Sequence, residues 1–233
     1  MKVDLHVHSC LSPCGDYAMS PGNVVVRALE AGLGAIGLCD HNSAENVAAF
    51  QSAGARLGMA VVGGMEICSR EEAHLLAFFD EPAALARMQE LVYVHLAGDN
   101  DSRAFGEQIV VDERDEPLEV NERLLIGATD LSVGEIVCAA RRLDGLVIAA
   151  HVDRPSYSLI GQLGFVPEGL PLDALEVSTH CGDETRYRGY GLPVVRFSDA
   201  HFLHEVGRAW TDFAIERPAA SAIRGALAAQ RGR

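Results

Sequence analysis

The chain has 233 residues, 48% of them hydrophobic, and its 33 acidic against 19 basic side chains give a formal net charge of −14. That length suits one large domain spanning 1–233, as a (β/α) barrel usually does. The acidity argues against a long nucleic-acid backbone as partner, because such binding rests on clustered Lys and Arg. No apolar run approaches the roughly 18–20 residues of a membrane span, and the first residues carry charge where a signal peptide would be apolar, so a cytoplasmic protein is expected.

The first strand carries Asp4-Leu5-His6-Val7-His8-Ser9. Alternate side chains of an extended strand share a face, which places His6 beside His8 and Val7 opposite. The pair is a chelating arrangement, although two histidines are also ordinary polar residues on a half-exposed strand. A Ser-, Pro- and Gly-rich loop follows, with Cys10 and Cys14 close enough to be weighed as ligands, though neither joins the expected set. The six cysteines form no CxxC pair, as suits reduced thiols.

Ser20-Pro21 is a helix start, since proline lacks the N–H that would be unpaired there, and Gly32 is the stop. Ala35 to Cys39 reads as a strand buried on both faces and delivers Asp40-His41-Asn42. Ser43 to Leu57 reads as a helix closed by Gly58, and Met59 to Met65 as a strand that hands over Glu66. Ala73 to Phe79 is a fourth strand, with His74 near its start, and Pro82 to Leu96 a further helix. From Gly98 to Gly127 the alternation breaks into an inserted, hairpin-like arm, a candidate lid or subunit contact. Ser132 and Glu135 form a capping box. Leu146 to Ala150 ends in His151, with Arg154 three residues on, and a helix is expected from Pro155 to Leu163. Strands near Ala174 to Val177, carrying Glu176, and Pro193 to Phe197, leading to Ser198-Asp199-Ala200-His201, complete the alternation. A short strand near 209–213 and a helix from Pro218 to Ala229 close the chain.

Strand alternating with helix, with polar groups at strand ends, is the pattern of a parallel sheet whose site lies at the carboxyl edge. The strand ends supply His6, His8, His41, Glu66, His151, Asp199 and His201, with His74 nearby. Imidazole and carboxylate together suit Zn, Mn or Fe, and these groups outnumber what one ion can use.

In its motifs His6-Val7-His8-Ser9, Asp40-His41-Asn42, Gly64-Met65-Glu66, Ala150-His151 and Ser198-Asp199-Ala200-His201, the sequence resembles the PHP family, named for polymerase and histidinol phosphatase proteins. The resemblance implies a distorted (β/α)7 barrel, two or three divalent ions at the C-terminal ends of the strands, and hydrolysis of a phosphoester by metal-activated water. Carried over position by position, it implies a first metal on His6, His8, Glu66 and Asp199, and a second that shares Glu66 and is held by His74 and His151. A third would take Asp16, His41 and His201, although the loop before Asp16 is longer than the family's.

A small anionic phosphoester is the expected substrate, mono- or diester. Arg154 is the candidate phosphate clamp, because a guanidinium matches two phosphoryl oxygens, and His180 is a candidate proton donor to the leaving group. Two alternatives stand beside this: a metal-binding module without turnover, and a nuclease acting on short oligonucleotides. The arm at 98–127 is a possible homo-oligomer contact.

Overall fold

The computed structural model describes residues 1–231. Its strands are β1 (Lys2–Val7), β2 (Ala35–Leu38), β3 (Ala60–Cys68), β4 (His74–Phe79), β5 (Ile109–Val111), β6 (Pro117–Val120), β7 (Leu146–Ala149), β8 (Ala174–Val177), β9 (Val194–Arg196) and β10 (Thr211–Asp212). The α-helices are α1 (Pro21–Glu30), α2 (Val47–Leu57), α3 (Pro82–His95), α4 (Ser102–Phe105), α5 (Val133–Arg142), α6 (Leu159–Leu163) and α7 (Ala220–Ala228).

Eight strands form one sheet in the order β10-β1-β2-β3-β4-β7-β8-β9. The chain beyond β9 returns to β1, where Ala200 N–H donates to His6 O (3.1 Å) and His8 N–H to Ala200 O (3.0 Å). A parallel bridge between Val7 and Ala200 sits between these two bonds, and β10 flanks the junction as an antiparallel edge. Seven strands thus wrap into a nearly closed, distorted barrel, as expected.

One strand departs from the expected parallel array. β4 runs antiparallel to both β3 and β7. Residues 69–73 alone link β3 to β4, too few for the dozen or so that a parallel crossover needs, so the pair forms a hairpin. The reversal matters for the site, because the first residue of β4 now lies at the edge where its parallel neighbours end. β3 also runs on to Cys68, which places Glu66 inside the strand rather than after it.

The strands are apolar because both faces are covered. Leu75, Ala77 and Phe79 of β4 join a layer with Val24 of α1, Phe50 of α2, Met88 of α3 and Ile136 of α5. Leu76 and Phe78 join a second layer with Phe197, Phe213, Ile223 and Leu227. A Cβ on Gly64 would stand 2.4 Å from the Phe78 ring, so this glycine makes room for that inner layer. α7 begins at the end of β4 remote from His74, where the Asp80 carboxylate accepts from the N–H groups of Ala220 (2.6 Å) and Ser221 (3.1 Å).

The helix starts behave as their residues require. Pro21 opens α1, Gly58 closes α2 at φ 79°, and the Ser132–Glu135 capping box is formed. The expected helix from Pro155 is shorter, since only Leu159–Leu163 is helical, opened by the Ser158 hydroxyl accepting from Gly161 N–H. Residues 43–46 likewise lie outside the helix, ahead of α2.

β5 and β6 pair as the expected hairpin. It does not stand free of the barrel. Ile109 N–H donates to Cys10 O (3.1 Å), the Asn42 side-chain amide donates to Leu125 O (2.8 Å) and Gly127 O (2.7 Å), and Leu11, Leu96, Val110 and Leu125 form a small core of their own. Among the described residues no helix is long and apolar enough to cross a membrane.

Candidate metal centre

Each strand delivers its polar group by a local device. His6 is the last residue but one of β1 and His8 follows the strand; β2 gives way to Asp40-His41, β7 to Ala150-His151, and β9 to the stretch that contains Asp199 and His201. Asn42, His151 and Asp199 take positive φ values of 49°, 29° and 52°. Non-glycine residues rarely adopt this region, and such strain is held where the surrounding structure enforces it. Here it turns the chain sharply over the strand ends. His74 reaches the same edge through the reversed β4.

The groups converge on Glu66, which is 1% exposed. Five imidazoles surround its two oxygens: His74 at 2.9 Å, His41 at 3.0 Å, His151 at 3.1 Å, His6 at 3.3 Å and His8 at 3.5 Å. Asp199 Oδ1 stands 3.2 Å from His6 Nε2 and 3.3 Å from His8 Nε2. His201 stacks on His8 with ring centroids 4.0 Å apart.

The outer nitrogens of the histidine pair are spoken for. His6 Nδ1 faces both oxygens of Glu176, at 3.0 and 2.9 Å. His8 Nδ1 meets the Ser12 hydroxyl at 2.9 Å, and that hydroxyl in turn donates to Asp40 Oδ1 at 2.7 Å, so His8 Nδ1 is the donor. Both Nε2 atoms therefore point inward, 3.2 Å apart. Two lone pairs so placed repel unless a cation or proton lies between them. Ligand atoms on a tetrahedral ion with bonds of about 2.0–2.1 Å are about 3.3–3.4 Å apart, close to the spacings among His6, His8, Asp199 and Glu66.

Two further observations fit a cation. Among the described residues four buried polar side-chain atoms lack a hydrogen-bond partner, and Glu66 Oε2 and His151 Nδ1 are two of them. Glu66 Oε2 has His41 Nδ1 close by, but without the alignment of a hydrogen bond. His41, Glu66 and His74 each present a ligand atom within 4.8 Å of one another, as do His8, His41 and His201. Cys39 comes equally close to His6 and His8, but its thiol donates to Leu5 O (3.5 Å), and burial pushes its pKa up.

The charges respond to this crowding. Burial alone would push His6 down, but the carboxylates of Glu176, Asp199 and Glu66 hold it well above the usual histidine range. Burial would raise Glu66 and Asp199, yet the surrounding imidazoles hold both well below the ordinary carboxylate range. Burial and the charge of His201 push His8 well down.

A cavity of about 220 Å³ opens over the cluster, lined by Cys14, His41, Glu66, His74, Ile126, His151, Arg154, Tyr157, Asp199 and His201. The sequence model of the PHP domain matches residues 4–153, and that of the PHP-associated segment matches 184–231. The chain belongs to the PHP family.

Other comparisons bear on the fold and on one segment of the PHP chain. A lesion-specific endonuclease from Pyrococcus furiosus superposes with a TM-score of 0.70 at 18% identity, over 100% of this chain and 56% of that one. A Bifidobacterium adolescentis protein classed with metal-dependent phosphoesterases superposes with a TM-score of 0.65 at 19% identity, over 97% and 95% of the two chains. A 5′-3′ exoribonuclease of Haemophilus influenzae is 34% identical over 71 residues, which are 30% of this chain and 25% of that protein. The chain thus spans little more than half of the endonuclease and a quarter of the exoribonuclease.

Of the site residues expected from sequence, the structure brings together His6, His8, His41, Glu66, His74, His151, Asp199 and His201. Arg154 also lines the cavity, with its guanidinium 2.6 Å from Asp199 Oδ2. Two expected residues, Asp16 and His180, are not in the cavity lining. The Asp16 side chain is exposed, its carboxylate accepting from Ala18 N–H (2.7 Å) within its own loop, while its backbone N–H donates to His201 O (2.9 Å). The longer loop brings Cys14 to the cavity instead, with Sγ 3.2 Å from His41 Nε2. His180 is exposed on the loop after β8, outside the cavity lining.

Glu176 and Ser12 were missed as functional groups. Glu176 is an acid inside the buried apolar run Ala174–Val177, and that contrast was its one readable signal. The arm supplies Ile126 to the cavity wall, so it belongs to the site rather than standing apart from it.

Proposed function

We propose that this PHP protein hydrolyses a phosphoester with two or three divalent ions, Zn, Mn or Fe, held by His6, His8, His41, Glu66, His74, His151, Asp199 and His201. The observation that carries the reading is the buried Glu66 carboxylate, with five imidazoles within 3.5 Å, at the floor of a cavity that also holds Arg154. When bound, such ions neutralise phosphoryl oxygens and lower the pKa of water from 15.7 to about 7.

The chain's own residues orient and bind. Glu176 and Ser12 fix the rings of His6 and His8 so that their Nε2 atoms face the centre, the outer support that metal-ligating histidines ordinarily have. Arg154 presents a fork of N–H donors at the mouth and would exchange part of its contact with Asp199 for two phosphoryl oxygens. Tyr157 packs on His74 with ring centroids 5.1 Å apart and, with Ile126, walls the space left for the leaving group. A cavity of about 220 Å³ suits a phosphoryl group with a small leaving group, or with one that projects outward.

Elemental analysis of gently purified protein, with turnover of 4-nitrophenyl phosphate and its bis-ester in Mn or Zn, tests the reading. Bound metal with hydrolysis of either ester is expected, and absence of metal under both conditions would sink it. Arg154→Ala should leave metal content intact and raise KM roughly tenfold or more, as loss of a charged hydrogen bond worth about 1.5–3 kcal/mol implies.

Cleavage of a nucleic-acid phosphodiester is the second reading. It is favoured by the similarity to the exoribonuclease and by the fold shared with the endonuclease. The net charge of −14 weighs against a long strand, which leaves short oligonucleotides. Turnover of a short single-stranded RNA well above that of the aryl diester would decide for it.

A further inference from the structure

The loop between β1 and α1 carries a group that the expected ligand set lacks. Ser12 N–H donates to Ser9 O (3.1 Å) and Gly15 N–H to Ser12 O (2.8 Å), so the chain doubles back twice within seven residues. A Cβ at Gly15 would lie 2.5 Å from Ser9 O, so only glycine permits this tuck. Its effect is to bring Cys14 into the cavity lining while the Asp16 carboxylate is held by Ala18 N–H of its own loop. Cys14 Sγ stands 3.2 Å from His41 Nε2 and shares the cavity wall with His201. His41 is turned between Cys14 and Glu66, with Nδ1 3.0 Å from Glu66 Oε2, the buried oxygen that lacks a hydrogen bond. Sulfur and nitrogen on one tetrahedral zinc lie about 3.5 Å apart, so a small opening of the Cys14–His41 pair would admit an ion.

We propose that Cys14 is a metal ligand, completing with His41 and His201 a thiolate-bearing site in place of the acid expected at Asp16. The inference rests on the reading of the cluster as a metal centre and deepens it. A thiolate is a soft donor, so this site favours Zn, Co or Fe over Mn and Mg, whereas the sites around Glu66, built from imidazole and carboxylate, discriminate less.

Cobalt(II) loading of the full chain tests this without reference to turnover. The wild-type protein is expected to show visible cobalt bands together with a near-ultraviolet thiolate-to-cobalt charge-transfer band. Cys14→Ser should lose the charge-transfer band and one cobalt per chain while keeping visible bands from the remaining ions. Cys14→Asp should recover the ion without the band, and should bind manganese there more tightly than wild type does. Cobalt bound by wild type with no charge-transfer band, or with a band that survives in Cys14→Ser, would overturn the role of Cys14 and leave the metal centre standing. Failure of wild type to bind cobalt at all would overturn both.

Discussion

Two buried carboxylates lie at the same edge of the sheet, and their surroundings are opposite. Asp40 and Glu66 are each 1% exposed. Asp40 accepts from Ser9 N–H (2.7 Å), the Ser9 hydroxyl (2.6 Å) and the Ser12 hydroxyl (2.7 Å), so both its oxygens are satisfied by neutral donors. Burial raises its pKa. Glu66 meets imidazole nitrogens, two of which point lone pairs at each other, and one of its oxygens lacks a hydrogen bond. Its pKa goes down. Burial is therefore common to a structural acid and a candidate ligand, and the character of the neighbours separates them: N–H and O–H donors close the first region, while convergent lone pairs leave the second open to a cation.

Substitution at Glu66 should have the largest effect. Zinc at a hundredfold excess over its Kd stabilises a site by about 2.7 kcal/mol, which for a chain of this size raises Tm by about 5–11 °C. Glu66→Gln should abolish that shift, strip most of the metal, and lower kcat/KM by more than the roughly 10–100-fold that loss of an outer partner costs. A calorimetric zinc shift that persists in Glu66→Gln would erase the contrast with Asp40.

Glu176→Gln comes next. The carboxylate that orients His6 would become an amide that offers one acceptor instead of two, so metal affinity should fall by about 10–100-fold with the number of ions unchanged. Isothermal titration with zinc reads this directly, and wild-type affinity would reduce Glu176 to a packing residue.

How far these regions were legible depends on the kind of evidence each needed. Buried strands, the Ser132–Glu135 cap and the ligand-bearing strand ends follow from local pattern, and eight of the nine expected metal residues meet at one edge. The reversal of β4 was also readable, because residues 69–73 are too few for a crossover, but alternation alone favoured a parallel strand. Cys14 in place of Asp16 was not readable: both lie in one loop, and the choice depends on how Gly15 packs against Ser9 O, which spacing does not encode. The role of Glu176 required knowing that β8 ends beside β1, some 170 residues away in sequence.

Asp40→Asn should separate the regions most cleanly. An amide nitrogen would replace an oxygen facing donor groups and leave them unpaired, at a cost of about 1–3 kcal/mol, so Tm should drop by several degrees whether or not zinc is present. The ion count should stay at the wild-type value. Loss of an ion in this variant would mean that Asp40 belongs to the metal region after all.

The smallest effect is expected at the bridge between the two. The Ser12 hydroxyl accepts from His8 Nδ1 and donates to Asp40 Oδ1, so it transmits the orientation of the closed region to the open one. Ser12→Ala removes both bonds and the one this oxygen accepts from His41 N–H (3.2 Å), but leaves Asp40 its two contacts with Ser9, so stability should fall by about 1–2 kcal/mol. His8 would lose the acceptor that keeps its proton on Nδ1, and zinc affinity should weaken about tenfold, the low end for an outer partner. Ser12→Thr, which keeps the hydroxyl, should restore the affinity. A tenfold loss in alanine that threonine rescues would show that the two carboxylate regions are coupled through this one oxygen, whereas equal affinity in all three proteins would make them independent.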